Sequence, residues 1–188
     1  MRTHKQLVTH QSILQVLPEH GCPFCRFLKE FQAAHLQDRR DKEIRHLCNF
    51  HTWGLAAVQD APDAARVFLN LLEEPAPLSN GNPGCDICRE IIAEEDLRIR
   101  EFVRCLAREE VSHWLRTKAV LCLPHGIKLR RQVSGVLISR IDAIIGNYRQ
   151  KLAQELLQLS KEPEIDRTGW GSLGRTAEFL VAQRGLRG

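Results

Sequence analysis

Gly21-Cys22-Pro23-Phe24-Cys25-Arg26 followed by Leu47-Cys48-Asn49-Phe50-His51, and then Gly84-Cys85-Asp86-Ile87-Cys88-Arg89 followed by Leu121-Cys122-Leu123-Pro124-His125, are two copies of one pattern. Each copy offers three thiols and one imidazole, the donor set of a tetrahedral Cys3His metal site. Two intervening residues let both members of a pair turn toward one ion. The candidate ligands are Cys22, Cys25, Cys48, His51, Cys85, Cys88, Cys122 and His125. The spacing leaves open whether each site draws on one copy or the copies exchange ligands.

Around these motifs apolar residues recur at helical spacing and no segment alternates with period two, so the predicted fold is all-α. The pattern gives a first helix from about Thr3 to Val16, and a second starting at the motif, with Pro23 in its first turn. A third follows His51, and Asp63 caps a fourth containing Val67, Phe68, Leu71 and Leu72. The second copy predicts one helix from Asp86 to about Trp114. Another runs from Pro124 to about Leu159, with a kink near Gly135 or Gly146. A short helix, Ser172 to Ala182, closes the chain, with Trp170, Leu173, Phe179 and Leu180 pinning it to the core.

Three prolines and a glycine within residues 75–83 cannot propagate a helix. The predicted organisation is therefore a first helical repeat (1–74), a linker (75–83), a second repeat (84–162) and a C-terminal tail (163–188). Cys22 to Cys85 is 63 residues and Cys48 to Cys122 is 74. The 11 extra residues in the second copy are about three helical turns, which lengthens a helix while keeping its buried face nearly in phase.

A chain of 188 residues is long enough to bury a core, and its 43% hydrophobic content is that of a globular protein. The polar residues His10, Gln11, Ser12 and Gln15 interrupt any signal-peptide core, and no stretch is long and apolar enough to span a bilayer, so the expected location is cytoplasmic. In a reducing compartment, paired cysteines beside histidines read as ligands in preference to permanent disulfides. The net charge of +4 is unevenly spread: Arg116, Lys118, Lys128, Arg130, Arg131, Arg140, Arg149 and Lys151 face Asp142 alone between Trp114 and Lys151. Arg116, Lys118, Lys128, Arg130 and Arg131 are therefore candidate anion-binding residues, and a nucleic-acid partner is one reading of them. The other is a solvated helix face balanced by Glu90, Glu94, Glu95 and Asp96.

Gly-Cys-Pro-x-Cys-Arg, Leu-Cys-x-x-His, a second Cys-x-x-Cys, Leu-Cys-Leu-Pro-His and the late Trp170 together resemble a bacterial family of uncharacterised helical proteins with twin Cys-x-x-Cys and Cys-x-x-His motifs. The resemblance implies that the eight cysteines and histidines above are the metal ligands. It implies no reaction. Asp86 stands where the first copy has Pro23.

Three thiolates and a neutral imidazole around a divalent ion leave a charge of about −1, which Arg26 and Arg89 would offset. The closed shell favours two structural zinc ions over a hydrolytic centre. Two iron–sulfur clusters, and with them a redox protein, are the alternative. Cys22-Pro23-Phe24-Cys25 also has the form of a thiol–disulfide motif, but no βαβ pattern surrounds it. No P-loop, dinucleotide fingerprint or nucleophile elbow is present. The sequence thus reads as a metal-scaffolded binding or adaptor protein with a protein partner. Cys105, Trp53 and Trp114 read as packing residues, Glu94-Glu95 as a solvated face, and His46 and His113 as residues near the motifs that do not repeat.

Overall fold

The computed structural model describes residues 12–17, 21–38, 44–58, 61–73, 84–161 and 170–182. Among them are eight α-helices and no strand: α1 (Pro23–Asp38), α2 (Asn49–Val58), α3 (Ala61–Glu73), α4 (Asp86–Arg104), α5 (Glu109–Thr117), α6 (Leu123–Arg130), α7 (Val136–Leu159) and α8 (Trp170–Val181). The all-α expectation holds. The linker at 75–83 and the start of the predicted first helix lie outside the described residues. Within them, Ser12 is extended and its hydroxyl caps a single 3-10 turn, Ile13–Val16, so no helix runs through this point to Val16. None of the described helices is long and apolar enough to cross a membrane.

The chain forms two compact units interleaved along the sequence. One includes Phe27–Leu97; the other joins Ser12–Arg26 to Arg98–Arg184. In the first, α2 packs against α3, and Phe27, Leu28, Leu36, Ile44, Leu55, Val67, Ile87 and Ile91 are buried. α2 begins two residues before His51, at Asn49. α3 begins at Ala61, so Asp63 lies inside its first turn and strengthens the N-terminus there instead of capping it. Glu95 is only 2% exposed and is not part of a solvated face, whereas Trp53 is 73% exposed and does not pack.

In the second unit a run of aromatic rings organises the core. Phe24 meets Phe102 edge-on at 5.4 Å between centroids, and Phe102 meets Trp114 at 5.9 Å. That second contact explains why the predicted helix from Asp86 to Trp114 is two helices. Along one straight helix those rings would lie about 18 Å apart. The chain turns at residues 105–108, where Cys105, Leu106 and Arg108 donate to carbonyls three residues back. Glu109 and Glu110 then supply the negative charge that a new helix N-terminus favours. Cys105 is half-buried in this turn.

The predicted helix from Pro124 to Leu159 is likewise divided, more deeply than by a kink. Gly135 has φ +57° and ψ −134°, a conformation open essentially to glycine alone. The reversal lets α6 pack on α7, with Ile145 occupying the space where a side chain at Gly126 would be. α8 packs on both. Phe179 is buried and meets Tyr148 at 5.7 Å, while Arg175 bonds Glu155 at 2.7 Å. Leu173 and Leu180 are 42% and 52% exposed, so Phe179 anchors this helix without them. The side chain of Trp170 lies outside the description.

Gly135→Ala should lower stability by about 1–3 kcal/mol, because it forces a side chain into that backbone conformation. Gly146→Ala, inside the continuous α7 with open space around it, should raise stability by up to about 1 kcal/mol. Denaturant unfolding of both variants checks the pair; equal effects would place the chain reversal elsewhere.

Candidate metal centres

Each ligand pair stands at the start of a helix, for one local reason. The carbonyl of Cys22 accepts from Arg26 N–H at 3.2 Å, Cys48 from Thr52 at 2.9 Å, Cys85 from Arg89 at 3.0 Å and Cys122 from Gly126 at 2.9 Å. Each first cysteine is thus the N-cap residue of α1, α2, α4 or α6, and its partner lies three residues on, in the first turn. Gly21 and Gly84, directly before two of these caps, have φ +93° and +76°, which a side chain would strain. A helix N-terminus carries partial positive charge and unpaired N–H groups, so a thiolate there is favoured.

The structure exchanges the pairs between copies. Site 1 joins Cys22 and Cys25 to Cys122 and His125, and site 2 joins Cys48 and His51 to Cys85 and Cys88. Each site falls within one compact unit. In each, the four donor atoms lie within 4.8 Å of one another, and the histidine presents Nδ1. At site 1, Cys25 Sγ lies 3.5 Å from Cys122 Sγ, and His125 Nδ1 lies 3.6, 3.3 and 2.9 Å from Cys22, Cys25 and Cys122. At site 2, Cys48 Sγ lies 3.8 Å from Cys88 Sγ, and His51 Nδ1 lies 3.2, 3.3 and 3.4 Å from Cys48, Cys85 and Cys88. Zinc bond lengths and a tetrahedral angle give about 3.8 Å between sulfurs and about 3.6 Å between sulfur and nitrogen. Both groups can therefore hold a metal ion. None of the seven cysteines is in a disulfide.

The donors differ in how readily they ionise. At site 1 burial works against the Cys22 thiolate, yet hydrogen bonds from Cys122 and Cys25 and the charge of His125 hold its pKa well below the ordinary thiol value. Hydrogen bonds with Cys122 and then with Cys22 raise Cys25. Cys122 is raised by its bond to Cys22. At site 2 burial opposes ionisation of Cys48, but the backbone N–H of His51 and the thiols of Cys85 and Cys88 lower its pKa. Cys88 is pushed up to about 12 by burial and by Cys85. Burial lowers the His51 pKa, which favours the neutral imidazole that metal binding requires. A binding cation displaces the protons that remain.

Residues that are not ligands fix the ligands in place. Asp86 accepts from the backbone N–H of Arg45 at 2.7 Å and of His46 at 2.9 Å, and its own N–H donates to the His46 carbonyl at 3.0 Å. These bonds tie the segment leading to Cys48 against the start of α4, so the aspartate that replaces proline in the second copy positions site 2. Arg89 pairs with Asp86, which engages its charge there. The Asp86 pKa is lowered, since these N–H bonds and Arg89 outweigh its burial. The amide nitrogen of buried Gln32 lies 3.0 Å from His51 Nε2. With a metal on Nδ1, Nε2 is protonated, and a half-turn of the amide presents its oxygen as acceptor. At site 1 the ring of Phe24 lies against His125, 5.4 Å between centroids. The sequence signalled Asp86 only by its mismatch with Pro23, and Gln32 not at all.

The remaining candidates stand apart from these groups. Arg116 bonds Glu109 at 2.8 Å, and Arg130 bonds Asp142 at 2.8 Å, so both of these proposed anion-binding residues are ion-paired. Lys118 and Arg131 are exposed and Lys128 is half-buried. His113 is exposed, and His46 takes part through its backbone.

Two outcomes test this arrangement. Cys22→Ala with Cys48→Ala, both in one copy, should abolish both metal sites, whereas Cys22→Ala with Cys122→Ala should leave one ion per chain, read by elemental analysis. Asp86→Ala should cost about 2 kcal/mol of unfolding free energy by stranding two N–H groups, against less than about 0.5 kcal/mol for Asp142→Ala in an exposed ion pair. Comparison with protein-family models, with curated proteins and with solved structures finds no match to this chain, so the functional reading stands on the two Cys3His groups themselves.

Proposed function

We propose that the chain is a zinc-scaffolded helical binding protein whose two metal ions are structural. The observation that supports this reading is the donor geometry: two sets of three sulfurs and one Nδ1, at separations that suit one tetrahedral ion each. An iron–sulfur cluster places several iron and sulfide atoms between its ligands and needs them farther apart. With four protein ligands the shell is complete, and no position remains for water or substrate, which speaks for a scaffold over a hydrolase. Zinc at each site would clamp two helix starts together, and its binding free energy would be folding free energy. The resemblance to the twin-motif bacterial family rests on the same eight residues and adds no reaction to this reading.

A protein partner accounts for the exposed apolar side chains of the first unit. Trp53, two residues beyond His51, is largely solvent-exposed, as are Leu69 and Leu72 on α3. Aromatic and aliphatic side chains left in water are the usual anchors of protein interfaces. The repeat organisation and the cytoplasmic location belong to the same proposal.

Elemental analysis and an absorption spectrum, on protein purified without oxygen and without an affinity metal column, test it. About two zinc ions per chain and a featureless visible spectrum are expected. Iron with acid-labile sulfide would replace this reading by a redox one. Cys48→Ala should then lose about one zinc ion and unfold at lower temperature. Full metal content with unchanged melting in that variant would remove the scaffold role.

A further inference from the structure

The two sites are not equally shielded. At site 1, Cys25, Cys122 and His125 are buried and Cys22 is half-buried; at site 2, His51 and Cys85 are buried while Cys48 and Cys88 are both half-buried. The paired sulfurs at 3.5 Å in site 1 are the two buried ones, Cys25 and Cys122. Those at 3.8 Å in site 2 are the two that solvent reaches, Cys48 and Cys88. The site 2 rim is open on both helices, with Asn49 and Phe50 exposed beside Cys48 and Arg89 exposed beside Cys88.

We infer that site 2 is an oxidant-responsive zinc site, in which a peroxide joins Cys48 to Cys88 and expels the ion while site 1 keeps its own. This rests on the zinc reading above. Susceptibility to oxidation follows accessibility and thiolate character, and a neighbouring sulfur resolves the first product. One zinc-bound thiolate attacks hydrogen peroxide: a sulfur–oxygen bond forms, the oxygen–oxygen bond breaks and hydroxide leaves. The second thiolate attacks that sulfur: a sulfur–sulfur bond forms, the sulfur–oxygen bond breaks and a second hydroxide leaves. The two sulfurs give up two electrons, the peroxide takes them, and the hydroxides are protonated to water. Zinc stays divalent throughout, loses two of its four donors and departs. Closing 3.8 Å to a disulfide of about 2.0 Å needs a movement of only about 2 Å. A thiol reductant and zinc would restore the site.

The experiment treats the full chain, first shown to carry two zinc ions, with hydrogen peroxide. It follows zinc release with a chromogenic chelator and maps disulfides by mass spectrometry, with Cys105 as an internal comparison. The expected result is a fast phase releasing about one ion per chain with a Cys48–Cys88 bond, site 1 cysteines still alkylatable, and recovery after reductant and zinc. Single-phase release of both ions, earlier oxidation of Cys22, Cys25 or Cys122, or no release would overturn the inference while leaving the zinc scaffold intact. Absence of zinc at the outset would sink the scaffold reading and this inference with it. A Cys88→Ser variant that still binds two ions should lose the fast disulfide-linked phase; if it binds only one, the remaining ion should be released at the slow rate of site 1, and a fast release from either form would count against the assignment.

Discussion

Every candidate ligand pair in this chain is also a helix start, and the rest of the structure depends on that coincidence. A cysteine at the N-cap leaves its carbonyl to open the helix, while its sulfur stands among N–H groups that the helix cannot satisfy. The second ligand, three residues on, falls in the same first turn. Two such starts meeting at one point would ordinarily be unfavourable, because positive dipole ends and unpaired donors face each other. Three sulfurs able to ionise remove that conflict, and the same concentration of sulfur makes the place one that a divalent cation can occupy. The helix starts and the donor groups are thus one feature of the fold.

Much of this was legible in the residues. Side-chain chemistry and spacing identified eight donors, and all eight fall into the two groups. Spacing could not say which pair meets which, because exchange between copies is a question of chain path and both pairings satisfy the same donor arithmetic. Helix boundaries were legible where proline or a cap marks them, as at Pro23, and illegible at residues 105–108, which hold no glycine or proline. That turn exists because Phe102 and Trp114 are both buried and in contact. Burial of Glu95 and exposure of Trp53 were likewise read the wrong way round, since helical periodicity assigns a residue to a face and not to a neighbour.

The difference between Pro23 and Asp86 shows how one motif serves two settings. Proline fixes φ and suits a first helical turn, so it starts α1 from local preference alone. Asp86 starts α4 less by preference than by reach. Its carboxylate takes two backbone N–H groups from a segment some 40 residues earlier and brings that segment's next ligand, Cys48, to the site. A short acidic side chain in the first turn of a helix suits the positive dipole end there and recruits a distant segment at once.

The order of the ligands along the chain adds a final consequence. Cys48 and Cys88, in site 2, are separated by 40 positions, and Cys25 and Cys122, in site 1, by 97. The narrower closure lies wholly inside the wider one, so once site 2 forms, the wider loop is already partly short-circuited. Because loop entropy grows only logarithmically with length, the saving at site 1 is roughly half a kcal/mol. This is small beside the roughly 10–16 kcal/mol that structural zinc contributes to small metal-folded peptides. The saving is reciprocal, so it makes neither site depend on the other for its affinity; the shorter closure alone, 40 positions against 97, favours site 2 closing before site 1.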